Sequence, residues 1–309
     1  MNSQSLFDEV RLLATEQRNP DSLKLDEMST EEVLRLINRE DAKVAKAVES
    51  EIPHITAVVD ELVRRFKRGG KLFYVGAGTS GRMGVVDAAE CPPTFGTPRD
   101  QIEAIIAGGH LAVFQAQEGA EDRPEFGAHA IQQAGAADTD MVIGIAASKR
   151  TPFVLGALER GFTLNAYTVL LTTNPRESVG YPYLSETICP VVGPEVLMGS
   201  TRMKSALAQK MVLTMITTTA MVRMGKVYQN MMVDLQLTNR KLEERAKRIV
   251  MIATDCDYEQ AKELLEQSGG HVKSAIIMRI AGSNKAEADR VLAESDGFVK
   301  RAIEKLRSK

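Results

Sequence analysis

Residues 71–96, "KLFYVGAGTSGRMGVVDAAECPPTFG", lead from an apolar β-type segment through glycines and hydroxyls into a predicted helix. Gly76, Gly78 and Gly81 spell G-x-G-x-x-G, the pattern of dinucleotide-binding loops. The pattern by itself is a weak signal, because a glycine turn between a strand and a helix suits several anionic ligands. The stretch therefore predicts one strand–loop–helix unit of an α/β sheet. Which ligand it binds depends on the other motifs of the chain.

The middle of the chain repeats this unit. Its short apolar runs, rich in β-branched residues, are "LFYVGAG", "EAIIAGG", "MVIGIAAS", "AYTVLLTT" and "TICPVVG". Helix-length segments separate most of these runs, which is the pattern of a parallel sheet covered by helices on both faces. Open α/β sheets bind ligands at the carboxyl ends of their strands, so we expect the site at the loops that follow the runs.

Helical spacing dominates the region before the sheet. Residues 1 to about 70 carry apolar side chains at helical intervals, and Ser29 with Glu32 forms a predicted capping box. A long helix rich in Met and Thr is predicted from Ser200 to about Met224. It is apolar nearly all round, which indicates burial.

The chain from 247 to 309 differs from the sheet region. It predicts three short helices, in "DYEQAKELLEQSGG", "HVKSAIIMRIAG" and "NKAEADRVLAESDG". The predicted organisation is a domain over 1–246, which includes the N-terminal helices, and a small helical domain over 247–309.

Composition narrows the functional class. The 309 residues carry a net charge of −2, so no polybasic field is available for nucleic acid or anionic lipid. The odd, widely spaced cysteines indicate a reducing compartment; they are Cys91, Cys189 and Cys256. The histidines are scattered as well, so we predict no metal site. Residues 211–222 are too few to span a bilayer, and we expect a cytoplasmic protein.

The dinucleotide interpretation of the first loop lacks a partner residue. It needs an acid at the end of the second strand, yet "EAIIAGG" is followed by His110. A P-loop is excluded as well, because no Lys-Ser/Thr pair follows Gly81. What remains is Gly78, Thr79 and Ser80 at a helix start, where backbone N–H groups and hydroxyls suit a single phosphate.

Helix capping is the structural alternative, because Ser and Thr commonly cap helices. Two further clusters favour a ligand. One is "SKRTP", with Ser148 and Thr151 after a predicted strand, and the other is "GSTRMK", with Ser200 and Lys204 before the long helix. Three such helix starts exceed what capping requires, so we predict a phosphorylated small-molecule ligand.

The order of these motifs resembles a known family. "GAGTSGR", followed about seventy residues later by "GIAASKRTP", resembles the sugar isomerase (SIS) fold. "AECPPTFG", "EGAED" and "GSTRMKSALAQK" are similar to the N-acetylmuramic acid 6-phosphate etherase family. The resemblance implies a three-layer αβα sheet domain and a small C-terminal three-helix UBA-like domain. Lys149 departs from the pattern, since the family commonly has glycine there.

The resemblance also implies a chemistry. The family cleaves the D-lactyl ether of N-acetylmuramic acid 6-phosphate by elimination and water addition, giving N-acetylglucosamine 6-phosphate and D-lactate in cell-wall recycling. Two acid/base groups suffice for this, without metal or cofactor. The matching positions are Glu90, as the acid for departing lactate, and Glu121, as the base at C2. Relatives of this fold commonly dimerise, so a homodimer is expected.

Other interpretations stay open on the residues alone. An acid in "DAAE" is usually a solvated helix position, and "EGAED" is usually an exposed turn. The division of roles between Glu90 and Glu121 also stays open. The alternative functions are a non-catalytic sugar-phosphate-binding regulator, resembling the glucokinase regulatory protein, and a sugar-phosphate isomerase. The regulator lacks the first glutamate, which is present here as Glu90.

Overall fold

The computed structural model describes residues 11–237 and 240–308. The first ten residues of the predicted N-terminal helical region lie outside this part. The chain divides into two compact units, the first made of Met1–Ala88 and Asp100–Thr217 and the second of Ala89–Arg99 and Thr218–Lys309. The domain boundary predicted at residue 246 stays a prediction.

The first unit contains a parallel sheet. Its strands are β1 (Leu72–Gly76), β2 (Ile102–Ile106), β3 (Met141–Ile145), β4 (Tyr167–Leu171) and β5 (Glu186–Ile188). They lie in the order β2-β1-β3-β4-β5, and every neighbouring pair is parallel. All five predicted runs are strands, and the predicted α/β sheet with flanking helices is confirmed.

The strand order creates a place for a ligand. β1 pairs with β2 on one side and with β3 on the other, so the order of the chain reverses between β1 and β3. Gly76 is the register partner of Ile145, which brings the last residues of the two strands level. Loops that leave such a switch point diverge and open a crevice at the carboxyl edge.

The glycines of the opening stretch fit the close packing of a helix on β1. A Cβ on Gly76 would stand 2.6 Å from the backbone nitrogen of Gly81, and a Cβ on Gly81 would stand 2.6 Å from Cγ1 of Ile106. Gly78, between them, has a φ of +50°, which favours glycine. The G-x-G-x-x-G pattern is therefore satisfied by local packing and backbone geometry, without reference to a dinucleotide.

Helices and short 3₁₀ turns complete the region before residue 224. The helices are α1 (Thr30–Asp41), α2 (Val44–Glu49), α3 (Ile52–Lys67), α4 (Gly78–Phe95), α5 (Leu111–Phe114), α6 (Pro124–Gln133), α7 (Pro152–Thr163) and α8 (Lys204–Arg223). The 3₁₀ turns are Ala14–Glu16, Pro20–Ser22, Leu25–Glu27, Ala120–Asp122 and Arg176–Ser178. The predicted capping box of Ser29 and Glu32 is present at the start of α1.

The long helix begins later than the sequence predicted. Residues 201–203 form a turn, and α8 starts at Lys204. The buried carboxylate of Glu195 accepts hydrogen bonds from the backbone N–H groups of Lys204 (3.0 Å) and Ser205 (2.9 Å). An acid that satisfies the free N–H groups at a helix start fixes that start, and its charge complements the helix dipole.

The second unit has its own hydrophobic core. Its elements after α8 are β6 (Val227–Tyr228), β7 (Met231–Met232), α9 (Arg240–Thr254), α10 (Tyr258–Gln267), α11 (Val272–Ala281), α12 (Lys285–Ala293) and α13 (Val299–Arg307). α10, α11 and α12 are the three helices predicted for the tail. The structure adds α13, which the sequence did not predict. Most of its residues are charged or polar, but one side is apolar, and Ala302 and Ile303 on that side are buried. The UBA-like comparison stays a prediction.

No helix in the described part of the chain combines the length and the apolar character that crossing a membrane requires.

Candidate functional site

A cavity of about 480 Å³ opens at the switch point of the sheet. One wall is the loop after β1 and the start of α4, with Ala77, Gly78, Thr79 and Ser80. Because α4 begins at Gly78, the two hydroxyls belong to its first turn and follow the position that a capping residue occupies. Their placement fits hydroxyls that face a ligand together with the free N–H groups of the turn.

The opposite wall is the loop after β3 and the start of α7, and it includes Ser148, Arg150 and Thr151. Thr151 is the N-cap residue of α7, yet its side chain makes no capping hydrogen bond. The carbonyl of Ala147 accepts hydrogen bonds from Asn174 Nδ2 at 2.7 Å and from a threonine hydroxyl, which hold this loop in place. The two predicted phosphate loops therefore line one cavity.

Lys149 stands between these lining residues and has a φ of +63°, in the left-handed region that favours glycine. Its Nζ donates a hydrogen bond to the carbonyl of Ser178. Lys149 is not one of the residues that line the cavity. The backbone geometry explains why glycine suits this position, and the side chain of Lys149 is turned to a neighbouring loop.

Glu121 and Asp122 bring carboxylates to the cavity. They lie in the 3₁₀ turn Ala120–Asp122, which follows Gly119 with a φ of +75°. The side chain of Glu121 is exposed, yet the surrounding protein removes part of its water, which raises its pKa above the ordinary value, and the negative charges of Asp122 and Glu118 raise it further. A carboxylate with a raised pKa is a better base near neutral pH than an ordinary glutamate. Glu118 is outside the lining.

Glu90 lies on α4, on the part of the helix that belongs to the second unit. Its side chain is exposed, and it is not among the residues that line the cavity. Pro92 and Pro93 follow it in the last turns of α4, which ends at Phe95. The catalytic role of Glu90 stays a prediction.

The third predicted cluster reaches the cavity through different residues. Gly199 and Thr201 line it, whereas Ser200 and Lys204 do not. Lys204 is buried, and its Nζ lies 2.5 Å from Oε2 of Glu40. Burial would raise the pKa of Glu40, but hydrogen bonds from Lys204 and Lys43 lower it to about 2. Substrate contacts of Ser200 and Lys204 stay predictions.

Leu13 and Glu16 also line the cavity, and the sequence motifs predicted neither residue as part of the site. Both lie in residues 12–20, "LLATEQRNP", within the region where helical spacing was predicted. No pattern in this segment assigns a ligand to either residue. Only the folded chain brings this segment to the loops after β1 and β3.

All three cysteines are buried, and none of them forms a disulfide. Burial raises the pKa of the Cys189 thiol to about 12, which leaves it protonated and unreactive at neutral pH. Within residues 11–237 and 240–308, no group of three His, Cys, Asp or Glu side chains is placed to hold a metal ion.

Comparison with known proteins gives one family match and several close relatives. Residues 54–162 match the family described as the glucokinase regulatory protein N-terminal SIS domain. The chain is 56% identical over 304 residues to the N-acetylmuramic acid 6-phosphate etherase of Salinibacter ruber, covering 98% of this chain and 97% of that one. It is 49% identical over 304 residues to N-acetylmuramic acid 6-phosphate etherase 2 of Vibrio cholerae, covering 98% and 99%. A solved structure, the phosphoheptose isomerase of Neisseria gonorrhoeae, covers 62% of this chain and all of its own at 13% identity, with a TM-score of 0.44.

Proposed function

The chain belongs to the N-acetylmuramic acid 6-phosphate etherase family, and from this premise we propose its reaction and the residues that perform it. It cleaves the D-lactyl ether of N-acetylmuramic acid 6-phosphate, giving N-acetylglucosamine 6-phosphate and D-lactate. This is a lyase-type reaction of amino sugar catabolism. The observation that carries the proposal is one cavity lined by two hydroxyl-bearing loops and by a carboxylate with a raised pKa.

The sugar phosphate binds between the two loops. Gly78, Thr79 and Ser80 contribute N–H groups and hydroxyls from one side, and Ser148 and Thr151 contribute hydroxyls from the other. The starts of α4 and α7 both meet this point, so two helix dipoles favour the negative charge. The capping hydrogen bond that Thr151 leaves unmade supports a role for its hydroxyl in binding.

The reaction begins on the open-chain sugar. Its C1 aldehyde acidifies the proton on C2, and Glu121 removes that proton. The electron pair of the C2–H bond forms the C2–C3 double bond as the C3–O bond breaks and lactate leaves. The leaving oxygen receives a proton from Glu90, which occupies the position of the proton donor in the family motif. The raised pKa of Glu121 supports its assignment as the base.

Water completes the reaction by adding across the double bond. Its oxygen bonds to C3, a proton returns to C2, and Glu90 activates the water after giving up its own proton. The balance is one water consumed and one lactate released, and no oxidant or reductant enters. The support for Glu90 is the "AECPPTFG" motif alone, so its role needs the experiment most.

We propose that the working form is a cytoplasmic homodimer. The charge balance of the chain fits a small-molecule substrate rather than nucleic acid. Size-exclusion chromatography with light scattering measures the oligomeric state directly, and a monomer would contradict this part of the proposal.

One assay tests the function. The protein is incubated with N-acetylmuramic acid 6-phosphate in H₂¹⁸O, and D-lactate and the sugar product are analysed. Release of lactate with the new oxygen at C3 of the sugar is expected. Folded protein that releases no lactate would overturn the etherase proposal, and label in lactate would overturn elimination and addition.

A second assay assigns the base. Glu121→Gln should abolish exchange of the C2 proton with solvent deuterium, measured by NMR on the substrate. Glu125→Gln is the matched control, because Glu125 is an exposed acid near Glu121 on the same stretch of chain. Unchanged exchange in Glu121→Gln would remove Glu121 as the base.

A further inference from the structure

The cavity contains a carboxylate that the proposed reaction does not use. Glu16 lines it, and its side chain is half-buried. Across residues 11–237 and 240–308, the structure gives its carboxylate no hydrogen-bond donor and no ion-pair partner. Removing a carboxylate partly from water without a partner costs free energy, so an acid in this state is suited to a donor supplied by a ligand.

The backbone around Glu16 is firmly held. Leu13 and Thr15 are buried, and the Glu16 N–H donates to the carbonyl of Leu13 at 3.0 Å. The Ala14 N–H donates to Oδ1 of Asn174 at 3.0 Å. The amide of the same Asn174 donates to the Ala147 carbonyl at 2.7 Å. One side chain therefore fixes the Glu16 segment to the loop that carries Ser148, and binding residues held this way lose little entropy on ligand binding.

The Glu16 carboxylate lies next to Gly199, which has no side chain. Its Oε2 lies 3.4 Å from the position that a Cβ on Gly199 would occupy, and Gly199 has a φ of +76°. Thr201, close by in sequence, also lines the cavity. The missing side chain at Gly199 leaves room beside the Glu16 carboxylate for part of a ligand.

The chemistry of the substrate limits what can occupy that space. Its phosphate and its lactyl carboxylate are anions, and a carboxylate repels both. Its hydroxyls and its acetamido N–H are neutral donors, and a hydrogen bond to a charged acceptor is stronger than one between neutral groups.

We propose that Glu16 is a substrate-binding residue that accepts a hydrogen bond from a neutral donor of the sugar, a hydroxyl or the acetamido N–H. The proposal rests on the proposed function for the identity of the sugar. Glu16 holds the sugar end of the ligand while the two hydroxyl-bearing loops hold the phosphate. It thereby selects a phosphorylated sugar over a bare phosphate.

Titration calorimetry tests this on the full-length protein. The probes are N-acetylglucosamine 6-phosphate, glucose 6-phosphate and inorganic phosphate, and the variants are Glu16→Ala and Glu16→Gln. Glu27→Gln is the control, because Glu27 is an exposed acid in a 3₁₀ turn of the same N-terminal segment. A thermal melt of each variant accompanies the titrations.

We expect Glu16→Ala to weaken the binding of N-acetylglucosamine 6-phosphate by about tenfold to a hundredfold, the range of a charge-assisted hydrogen bond. Glu16→Gln keeps an acceptor oxygen without the charge and should fall between Glu16→Ala and the wild type. Inorganic phosphate should bind as tightly as before or more tightly, because a negative charge is removed. Glu27→Gln should change none of these constants.

The two sugar probes identify the donor. A loss confined to N-acetylglucosamine 6-phosphate assigns the acetamido N–H, and an equal loss for glucose 6-phosphate assigns a hydroxyl. Both outcomes support the proposal. It is overturned if Glu16→Ala weakens the sugar phosphates no more than inorganic phosphate, or if it weakens all three probes together.

Lactate release and ligand binding, measured separately, distinguish this inference from the proposed function. Wild-type protein that releases no lactate would refute the etherase reaction, while a selective loss of sugar binding in Glu16→Ala would still establish Glu16 as a binding residue. Lactate release by the wild type with no selective loss in Glu16→Ala would refute the inference and leave the function standing.

Discussion

At the scale of single residues, the glycine pattern does not identify the ligand. Gly76 and Gly81 allow α4 to approach β1, and Gly78 adopts a positive φ. None of these properties distinguishes a dinucleotide from a sugar phosphate. Thr79 and Ser80 line the cavity together with the second loop, and we predict that their hydroxyls make this distinction.

The first prediction concerns the ionisation of Glu121. A base must be ionised, so lactate release should fall as the pH drops through the pKa of Glu121. Partial loss of water and two neighbouring acids raise that pKa, and the acidic limb should therefore lie above the range of an ordinary glutamate. Glu121→Gln should lower kcat by about 10²- to 10⁴-fold. A kcat/KM profile against pH measures the limb.

The variant Glu118→Gln tests whether Glu121 controls the acidic limb. Glu118 is outside the cavity lining, yet its charge contributes to the raised pKa of Glu121. Its neutralisation should shift the acidic limb to lower pH and leave the plateau rate near that of the wild type. A limb that stays in place would show that another group controls it.

The second prediction concerns the left-handed backbone at Lys149. We expect Lys149→Gly to be more stable than Lys149→Ala by about 1 kcal/mol, because only the alanine meets a Cβ penalty at a φ of +63°. Both variants lose the same side chain, so the difference isolates the backbone. Arg39, inside α1, should show the opposite order, with glycine about 1 kcal/mol worse than alanine. Urea denaturation measures all four variants.

At the scale of elements, the site depends on how closely α6 and α7 approach each other. A Cβ on Gly127 would stand 1.8 Å from the Phe153 carbonyl oxygen, and a Cβ on Gly156 would stand 2.0 Å from the Pro124 carbonyl oxygen. The two helices thus meet backbone to backbone. Because Pro152 and Thr151 begin α7, this contact helps to position one wall of the cavity.

The third prediction follows from that contact. Gly156→Ala should lower the free energy of unfolding by at least about 1–3 kcal/mol, since neither backbone can move without separating the helices. Gly180→Ala is the control, because a Cβ there would meet nothing within 4 Å. Chemical denaturation measures both. Equal stability of the two variants would mean that α6 and α7 separate at little cost.

At the scale of the whole chain, distant segments of the first unit meet in one buried polar network. Asn19 donates to Glu40 at 2.9 Å, and Glu40 accepts from Lys204. All three side chains are buried. The network joins the N-terminal segment, α1 and the start of α8, so charges far apart in sequence are neutralised together.

The fourth prediction is the acid sensitivity of this network. The pKa of Glu40 falls from an ordinary value of 4.5 in the unfolded chain to about 2 in the folded protein. The carboxylate therefore stabilises the fold fully above pH 4.5, and this stability is lost as the pH falls from 4.5 towards 2. Denaturation measured at several pH values should show the loss in this window.

Glu40→Gln tests the same network by substitution. It leaves Lys204 buried without its counter-charge, and we expect a loss of about 3–5 kcal/mol. Glu31→Gln is the control, because Glu31 pairs with Arg35 on the exposed side of α1 and should cost less than about 1 kcal/mol. A stability that depends on pH in the Glu40→Gln variant as it does in the wild type would assign the acid sensitivity to another group.

The sequence by itself determined most of the local structure of the sheet region. Apolar runs bounded by glycine and hydroxyl residues predicted all five strands, and caps such as Ser29 with Glu32 predicted helix starts. These features depend on neighbours a few residues apart, so the pattern contains them. The motif order also predicted the family, because each motif is short and contiguous.

Tertiary structure alone decided which of the predicted residues meet. Strand order brought the loops after β1 and β3 to one cavity, and folding added Glu16 and Thr201 while it directed Lys204 to Glu40. In the sequence, a lysine near hydroxyl residues is equally consistent with a phosphate ligand and with one partner of an ion pair. Its partner lies 164 residues away in sequence, and only the folded chain brings the two charges into contact.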